Sequence, residues 1–209
     1  RGGDEGGGAF LRRADVTLLC LYPGVLPGFL RAHREDFRPG SVLTDVTGVK
    51  SRLAAMLPDL LPPGVDFVLG HPMAGREKMG FAFASDAVFQ GANYIISPLP
   101  FNREESLCLV ESLALSLGFG QVRRISPQAH DVLIAHTSQL PHALAVALIN
   151  SDREGRDTGR FIGDSYRDLT RIARINAPLW SELFLENREA LLSAMADFAG
   201  EMALLQKAL

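Results

Sequence analysis

The chain has 209 residues, 47% of them apolar and 22% charged, with a formal net charge of -3. These proportions exclude a disordered chain, and the slight acidity argues against a nucleic-acid binder, which would carry a basic stripe. No uninterrupted apolar run approaches the ~18 residues of a transmembrane helix, so no membrane association is expected.

The length suits one large domain or two small ones. The first residue is Arg1, followed by the glycine-rich RGGDEGGG and no signal-peptide pattern, as expected of a piece of a longer polypeptide. Residues 16–22 (VTLLCLY) form a continuous apolar run before Pro23-Gly24, the pattern of a strand buried on both faces. An amphipathic helix is expected over 25–37, then a strand over 41–46 and a short helix over 51–57, stopped by Pro58. Further strands are expected over 66–69 and 92–97. This alternation predicts a parallel sheet with crossover helices.

The pattern changes near residue 100. Asn102 with Glu105 three residues on reads as a helix start, and Gly118 and Gly120 end that helix. Ser126 caps the next, with Pro127 at its first position, and it continues to about residue 149. A polar loop follows over 151–159, then helices from about 166 to 209 with a break at Asn176-Ala177-Pro178. The expected architecture is α/β followed by all-α, divided as 1–100 and 101–209. Cys20 and Cys108 cannot build a disulfide framework; in apolar surroundings both read as buried thiols of a cytoplasmic protein.

Among the histidines, His33 in RAHRED reads as surface. His130, His136 and His142 are six residues apart, which turns a helix by about 240°, so they do not share a face and no metal site is expected. His71 follows directly on a strand, at the sheet edge that lines the ligand crevice of open α/β folds; position alone leaves structural and functional roles equally open. His142 follows Pro141 within a helix. The proline removes one hydrogen bond and crowds the Thr137 carbonyl, so Thr137-Ser138-Gln139-Leu140-Pro141-His142 sets hydroxyl, amide and imidazole groups around a bend. Arg167 and Arg171, four apart, suit a dianion because guanidinium grips carboxylates bidentately; a solvated face with local ion pairs is the plainer reading. Trp180 suits the core or a pocket wall.

GHPMAGREKMGF (70–81), TSQLPH (137–142) and RDLTRIARINAPLW (167–180), with TDVTGVK (44–50), occur in an order and spacing that resembles the prephenate dehydrogenase family, which includes arogenate dehydrogenases of tyrosine biosynthesis. The resemblance covers residues 9 to 209. It implies a Rossmann-like nucleotide domain followed by a helical dimerisation domain. It further implies a homodimer that performs oxidative decarboxylation of prephenate to 4-hydroxyphenylpyruvate, with hydride transfer to NAD or NADP. His71 matches the family's catalytic histidine, a base or hydrogen-bond acceptor for the ring hydroxyl. Arg171 matches the carboxylate-binding arginine and His142 a histidine at the other end of the substrate. Ser138, Gln139 and Trp180 fall at pocket positions, and Asp168 would orient neighbouring arginines or act across the dimer.

This sequence departs from the family pattern in three places. Gly48 stands where many members have a serine beside the catalytic histidine, leaving Thr47 as the obvious replacement hydroxyl. Gln139 stands where many have histidine, so that position carries no charge. The Gly-rich dinucleotide fingerprint does not precede the first strand, so the remaining cofactor surface would be Tyr22-Pro23-Gly24 and Thr47-Gly48-Val49. The first strand is then expected to be an unpaired edge. Two other readings stay open: a non-catalytic, dimeric aromatic-acid-binding remnant, and an arogenate dehydrogenase, whose substrate amine would favour an acidic group such as Glu77.

Overall fold

A computed structural model describes residues 8–75 and 80–209. They divide into two compact units, Arg1–His130 and Asp131–Leu209. The first unit therefore extends past residue 100, because the helix and strand that follow complete its sheet.

That unit begins with a single turn, α1 (Gly8–Leu11), and carries a five-stranded sheet in the order β1 (Val16–Leu19), β2 (Val42–Asp45), β3 (Asp66–Pro72), β4 (Asn93–Ser97) and β5 (Gln121–Arg124). Helix α2 (Leu26–Ala32) joins β1 to β2, α3 (Ser51–Leu60) joins β2 to β3, and α4 (Glu104–Ser116) joins β4 to β5. Alternation sorts the strand residues. On β2 and β3, Leu43, Phe67 and Leu69 pack with Leu26, Leu30, Leu53 and Leu57 of α2 and α3. Val42 and Val68 face the other way, with Tyr94, Ile96 and the α4 residues Leu107, Val110 and Ala114.

The sheet departs from the expected pattern at several points. β3 and β4 are antiparallel, with His71 opposite Ile95, whereas the other pairs are parallel. A parallel neighbour needs a long crossover, and between these strands the described residues hold only the short turns Phe81–Phe83 and Asp86–Val88. Strand β3 also runs three residues further than its apolar run suggests, so His71 lies in its last turn of pairing rather than beyond it. β5 was unexpected; its mostly exposed Gln-Val-Arg-Arg lacks the apolar signal of a buried strand.

β1 pairs only with β2 among the described residues. It is half-exposed, not buried on both faces, and Leu18 on it is 45% exposed. Cys20 and Cys108 are both exposed, not buried: one follows this edge strand and the other lies on the outer side of α4. Helix α3 carries Pro58 inside it and continues to Leu60, because one lost hydrogen bond is offset by burial of Leu57 and Leu60. Asn102 does not cap α4, whose N-cap is Arg103. Instead its amide donates to Asp66 Oδ1 at 2.6 Å and to the Phe67 carbonyl at 3.0 Å, tying the start of α4 to β3.

The second unit is helical. Helix α5 (Pro127–Ile134), capped by Ser126 and belonging to the first unit as far as His130, leads through the π-helical turn Ala135–Gln139 into α6 (Leu140–Asn150). The wide turn is how the chain accommodates Pro141. There follow α7 (Asp164–Thr170), the tight turn Arg171–Ala173, α8 (Ala177–Glu186), capped by Asn176, and α9 (Arg188–Ala208). Ala135, Leu140, Leu191 and Ala194 form its small core.

Contrary to the expectation from uninterrupted apolar runs, the 24 residues Pro127–Asn150 are long and apolar enough to cross a bilayer by length and composition alone. They carry Asp131, three histidines and a few hydroxyl and amide groups, several of which have protein partners described below. Val132, Leu133 and Ile149 on this stretch are exposed, as are Met202, Leu204 and Leu205 on α9.

Candidate active site

The first unit builds a charged network beneath the carboxyl ends of β2 and β3. Asp45 is the last residue of β2 and Lys50 precedes α3; both side chains are 0% exposed. Lys50 Nζ donates to Asp45 Oδ2 at 2.6 Å, to the Gly70 carbonyl at 2.5 Å and to Thr47 Oγ1 at 3.2 Å. Asp45 Oδ1 accepts from the Gly70 N–H at 3.0 Å. Both backbone groups of Gly70 are therefore held by one buried ion pair. Gly70 must be glycine: a Cβ there would collide with Tyr94 Oη and lie 2.9 Å from the Asp45 carbonyl oxygen.

The next residue is His71. Its Nδ1 lies 2.9 Å from Nε2 of His130, with ring centroids 5.1 Å apart and planes at 62°. His130 is 0% exposed and sits on α5, and its backbone N–H bonds to the Ser126 carbonyl. Burial above all, then the positive charge of Lys50 and the nearby His130, holds the His71 imidazole well below the ordinary histidine range. His71 is thus a neutral imidazole at neutral pH, the form that can accept a proton.

The strand-end residues expected to face a cofactor divide into open and closed groups. Tyr22 is exposed and Gly24 open, whereas Pro23 is buried; Gly48 is half-buried and Val49 is buried. Thr47 is buried and its hydroxyl is already committed, donating to Asp45 Oδ2 and lying 3.2 Å from the Val49 carbonyl. It does not replace a serine hydroxyl beside His71. His33 is half-buried, with Nδ1 2.9 Å from Asp36 Oδ2. Residues 76–79, including Glu77, lie outside the described residues.

In the second unit, His142 Nδ1 donates to the Ser138 carbonyl at 2.8 Å, which leaves Nε2 as the ring nitrogen outside that bond. Its ring stacks on Trp180, with centroids 3.8 Å apart and planes at 28°. Trp180 meets Phe184 edge-on. Ser138 is half-buried at the π-helical turn.

Gln139, expected at the pocket, is 1% exposed, and both its amide nitrogen and its amide oxygen are hydrogen-bonded. Nε2 donates to the Leu183 carbonyl at 3.0 Å, and Oε1 accepts from Asn187 Nδ2 at 2.8 Å. Asn187 also donates to the Asp131 carbonyl, so Gln139 and Asn187 join helices. Arg171 is exposed in the turn that ends α7. Arg167 is paired with Asp164 at 2.6 Å. Asp168 is exposed and does not orient that arginine; Asp164 takes the role because it lies one helical turn before it.

Asp45, Lys50 and Asn187 hold partners here without having been singled out in the sequence, and His130 was weighed there only as a metal ligand. For the first two a signal exists: opposite charges five residues apart, closely following an apolar strand. His130 and Asn187 meet partners 59 and 48 residues away, and no local pattern encodes that.

Comparison with known proteins bears on the same segments. The family model "Prephenate dehydrogenase, nucleotide-binding domain" matches residues 3–120, and "Prephenate dehydrogenase, dimerization domain" matches 126–209. A prephenate dehydrogenase of Bacillus subtilis is 28% identical over 77% of this chain, which spans only 44% of that protein's length. The structure of prephenate dehydrogenase from A. aeolicus in complex with hydroxyphenyl propionate and NAD+ superposes with a TM-score of 0.83 at 29% identity. It covers 92% of this chain and 68% of that one. Synechocystis arogenate dehydrogenase gives 0.82 at 25% identity, over 96% of this chain and 73% of the other. With both family models matching in sequence order and together spanning nearly every residue, the chain belongs to the prephenate dehydrogenase family of oxidoreductases.

Proposed function

We propose that this chain carries the proton-accepting and substrate-binding groups of a prephenate dehydrogenase. The reaction is oxidative decarboxylation of prephenate to 4-hydroxyphenylpyruvate in tyrosine biosynthesis, in the cytoplasm. The observation that carries the reading is a neutral, half-buried histidine, His71, bonded to the buried His130 at the carboxyl end of a strand in a family-matched nucleotide-binding domain.

In this reading His71 accepts the proton of the ring hydroxyl at Nε2, the nitrogen not bonded to His130. Arg171 pairs with a substrate carboxylate, and His142 donates or accepts at Nε2 against the Trp180 face. Loss of carbon dioxide is driven by aromatisation, so the protein mainly positions the ring.

Bound NAD(P)+ would supply the ring that accepts hydride. Exposed Tyr22 and Gly24 and half-buried Gly48, at the strand ends, would face it; Pro23, Thr47 and Val49 are buried. The match to a dimerisation domain and the exposed apolar residues of α5, α6 and α9 support a homodimer.

The test is turnover of prephenate and of arogenate with NAD+ and with NADP+, followed by nicotinamide reduction. His71→Asn should lower kcat by about 10²–10⁴-fold with KM little changed. Arg171→Gln should mainly raise KM. An unchanged kcat in the first variant removes His71 as base. Preference for arogenate would move this chain toward the Synechocystis relative. Ligand binding without turnover in the unaltered chain would favour the non-catalytic reading.

A further inference from the structure

We propose that His130 is the positioning residue for His71: its Nε2 accepts the hydrogen on His71 Nδ1 and so fixes His71 in the tautomer whose Nε2 lone pair is open. The inference rests on the reading of His71 as the base.

The argument is one of donors and acceptors. Two imidazole nitrogens 2.9 Å apart share one hydrogen, so one ring donates and the other accepts. His71 is neutral, with a hydrogen on one nitrogen only. If His130 donated, that hydrogen would sit on His71 Nε2, and the nitrogen outside the pair could not accept a proton. A base at Nε2 therefore requires Nδ1–H on His71 and an accepting Nε2 on His130, whose own hydrogen is then on Nδ1.

No other described group sets the ring. The Thr47 hydroxyl is committed to Asp45, Gly48 has no side chain, and the His130 contact is the one hydrogen bond the His71 ring makes among the described residues. His130 is suited to the task. It is fully buried on α5, whose start is fixed by Ser126 and Pro127. Lys50 and Asp45 meanwhile hold the backbone of Gly70, one residue before His71. Backbone and ring are thus fixed from opposite ends, as a base that must meet a proton within hydrogen-bond reach requires.

The experiment is long-range 1H–15N correlation spectroscopy on the 209-residue protein with 15N-labelled histidine at neutral pH. His71 is expected to show a protonated Nδ1 and an unprotonated Nε2. The reverse pattern, or an average of the two, overturns the proposal. His130→Gln keeps an acceptor and should retain the pattern, whereas His130→Leu should shift His71 toward Nε2–H. If both variants stay folded and keep the original pattern, His130 does not hold the tautomer and the proposal fails. If His130→Leu does not fold, the unaltered protein and His130→Gln decide it.

In turnover, His130→Leu should lower kcat by about tenfold or more with KM nearly constant, and His130→Gln should recover most of it. The expected tautomer without prephenate turnover supports the positioning role and removes the dehydrogenase reading. Turnover with the opposite tautomer does the reverse.

Discussion

The two units hold their chemical groups in different ways. In the first, Asp45, Lys50 and His130 are completely buried and bonded to one another or to the strand that bears His71. In the second, Arg171 and Asp168 are exposed and His142 is half-buried against Trp180, while the buried polar pair Gln139–Asn187 serves only to join helices. On the proposed function, one unit fixes a reacting group through buried charge, and the other presents binding groups on helix surfaces and keeps its polar interior for packing. A base must be placed to within a fraction of an ångström, which buried partners around His71 favour. Groups that grip a charged substrate need their charge and access to it.

The sharpest way to break this comparison is to remove the buried cation. Lys50→Met leaves the Asp45 carboxylate desolvated and unpaired and releases the Gly70 carbonyl. A loss of about 3–5 kcal/mol is expected, read as a lower midpoint in urea unfolding. A loss below about 1 kcal/mol, the scale of an exposed ion pair, would mean the network does not fix the strand end. The corresponding cut in the second unit is smaller. Asn187→Leu removes donors to Gln139 Oε1 and the Asp131 carbonyl, leaving buried acceptors unmet for about 1–3 kcal/mol each at most. Arg171→Gln turnover should survive in that background if Gln139 and Asn187 only join helices; a further selective rise in KM would place them at the ligand.

The same contrast governs what the sequence made legible. β1 to β4 announce themselves as apolar runs between glycines and prolines, and α5 by Ser126-Pro127. β5 does not, because an exposed edge strand such as Gln121–Arg124 has no burial to record. The direction of β4 is likewise set by its connection and not by its composition. The cysteines look buried because their neighbours are apolar, yet an edge strand and an outer helix face expose them. His71, His142 and Arg171 are proposed as site residues from family motifs alone. Whether a side chain meets a ligand or another side chain was not legible: Gln139 and Thr47 carry suitable groups but spend them internally. His130 was set aside because its neighbours on the helix offered no partner; its partner is on a strand.

The smallest expected effect tests desolvation of His71 directly. The His71 pKa in the folded chain lies well below the ordinary 6.5, so below that pH the unfolded chain binds a proton that the folded chain does not. This contribution to stability is fully present above pH 6.5 and is lost as pH falls from there toward the depressed value. For the first pH unit of acidification the loss is at most about 1.4 kcal/mol, one pKa unit of linkage. Midpoints of urea unfolding measured across this range should therefore fall more steeply for the unaltered chain than for His71→Asn. Groups that do not touch His71 are common to both chains and cancel in the difference. Parallel curves would mean that His71 titrates as an open histidine does. The contrast between a desolvated base and surface binding groups would then rest on the geometry of Lys50, Gly70 and His130 alone.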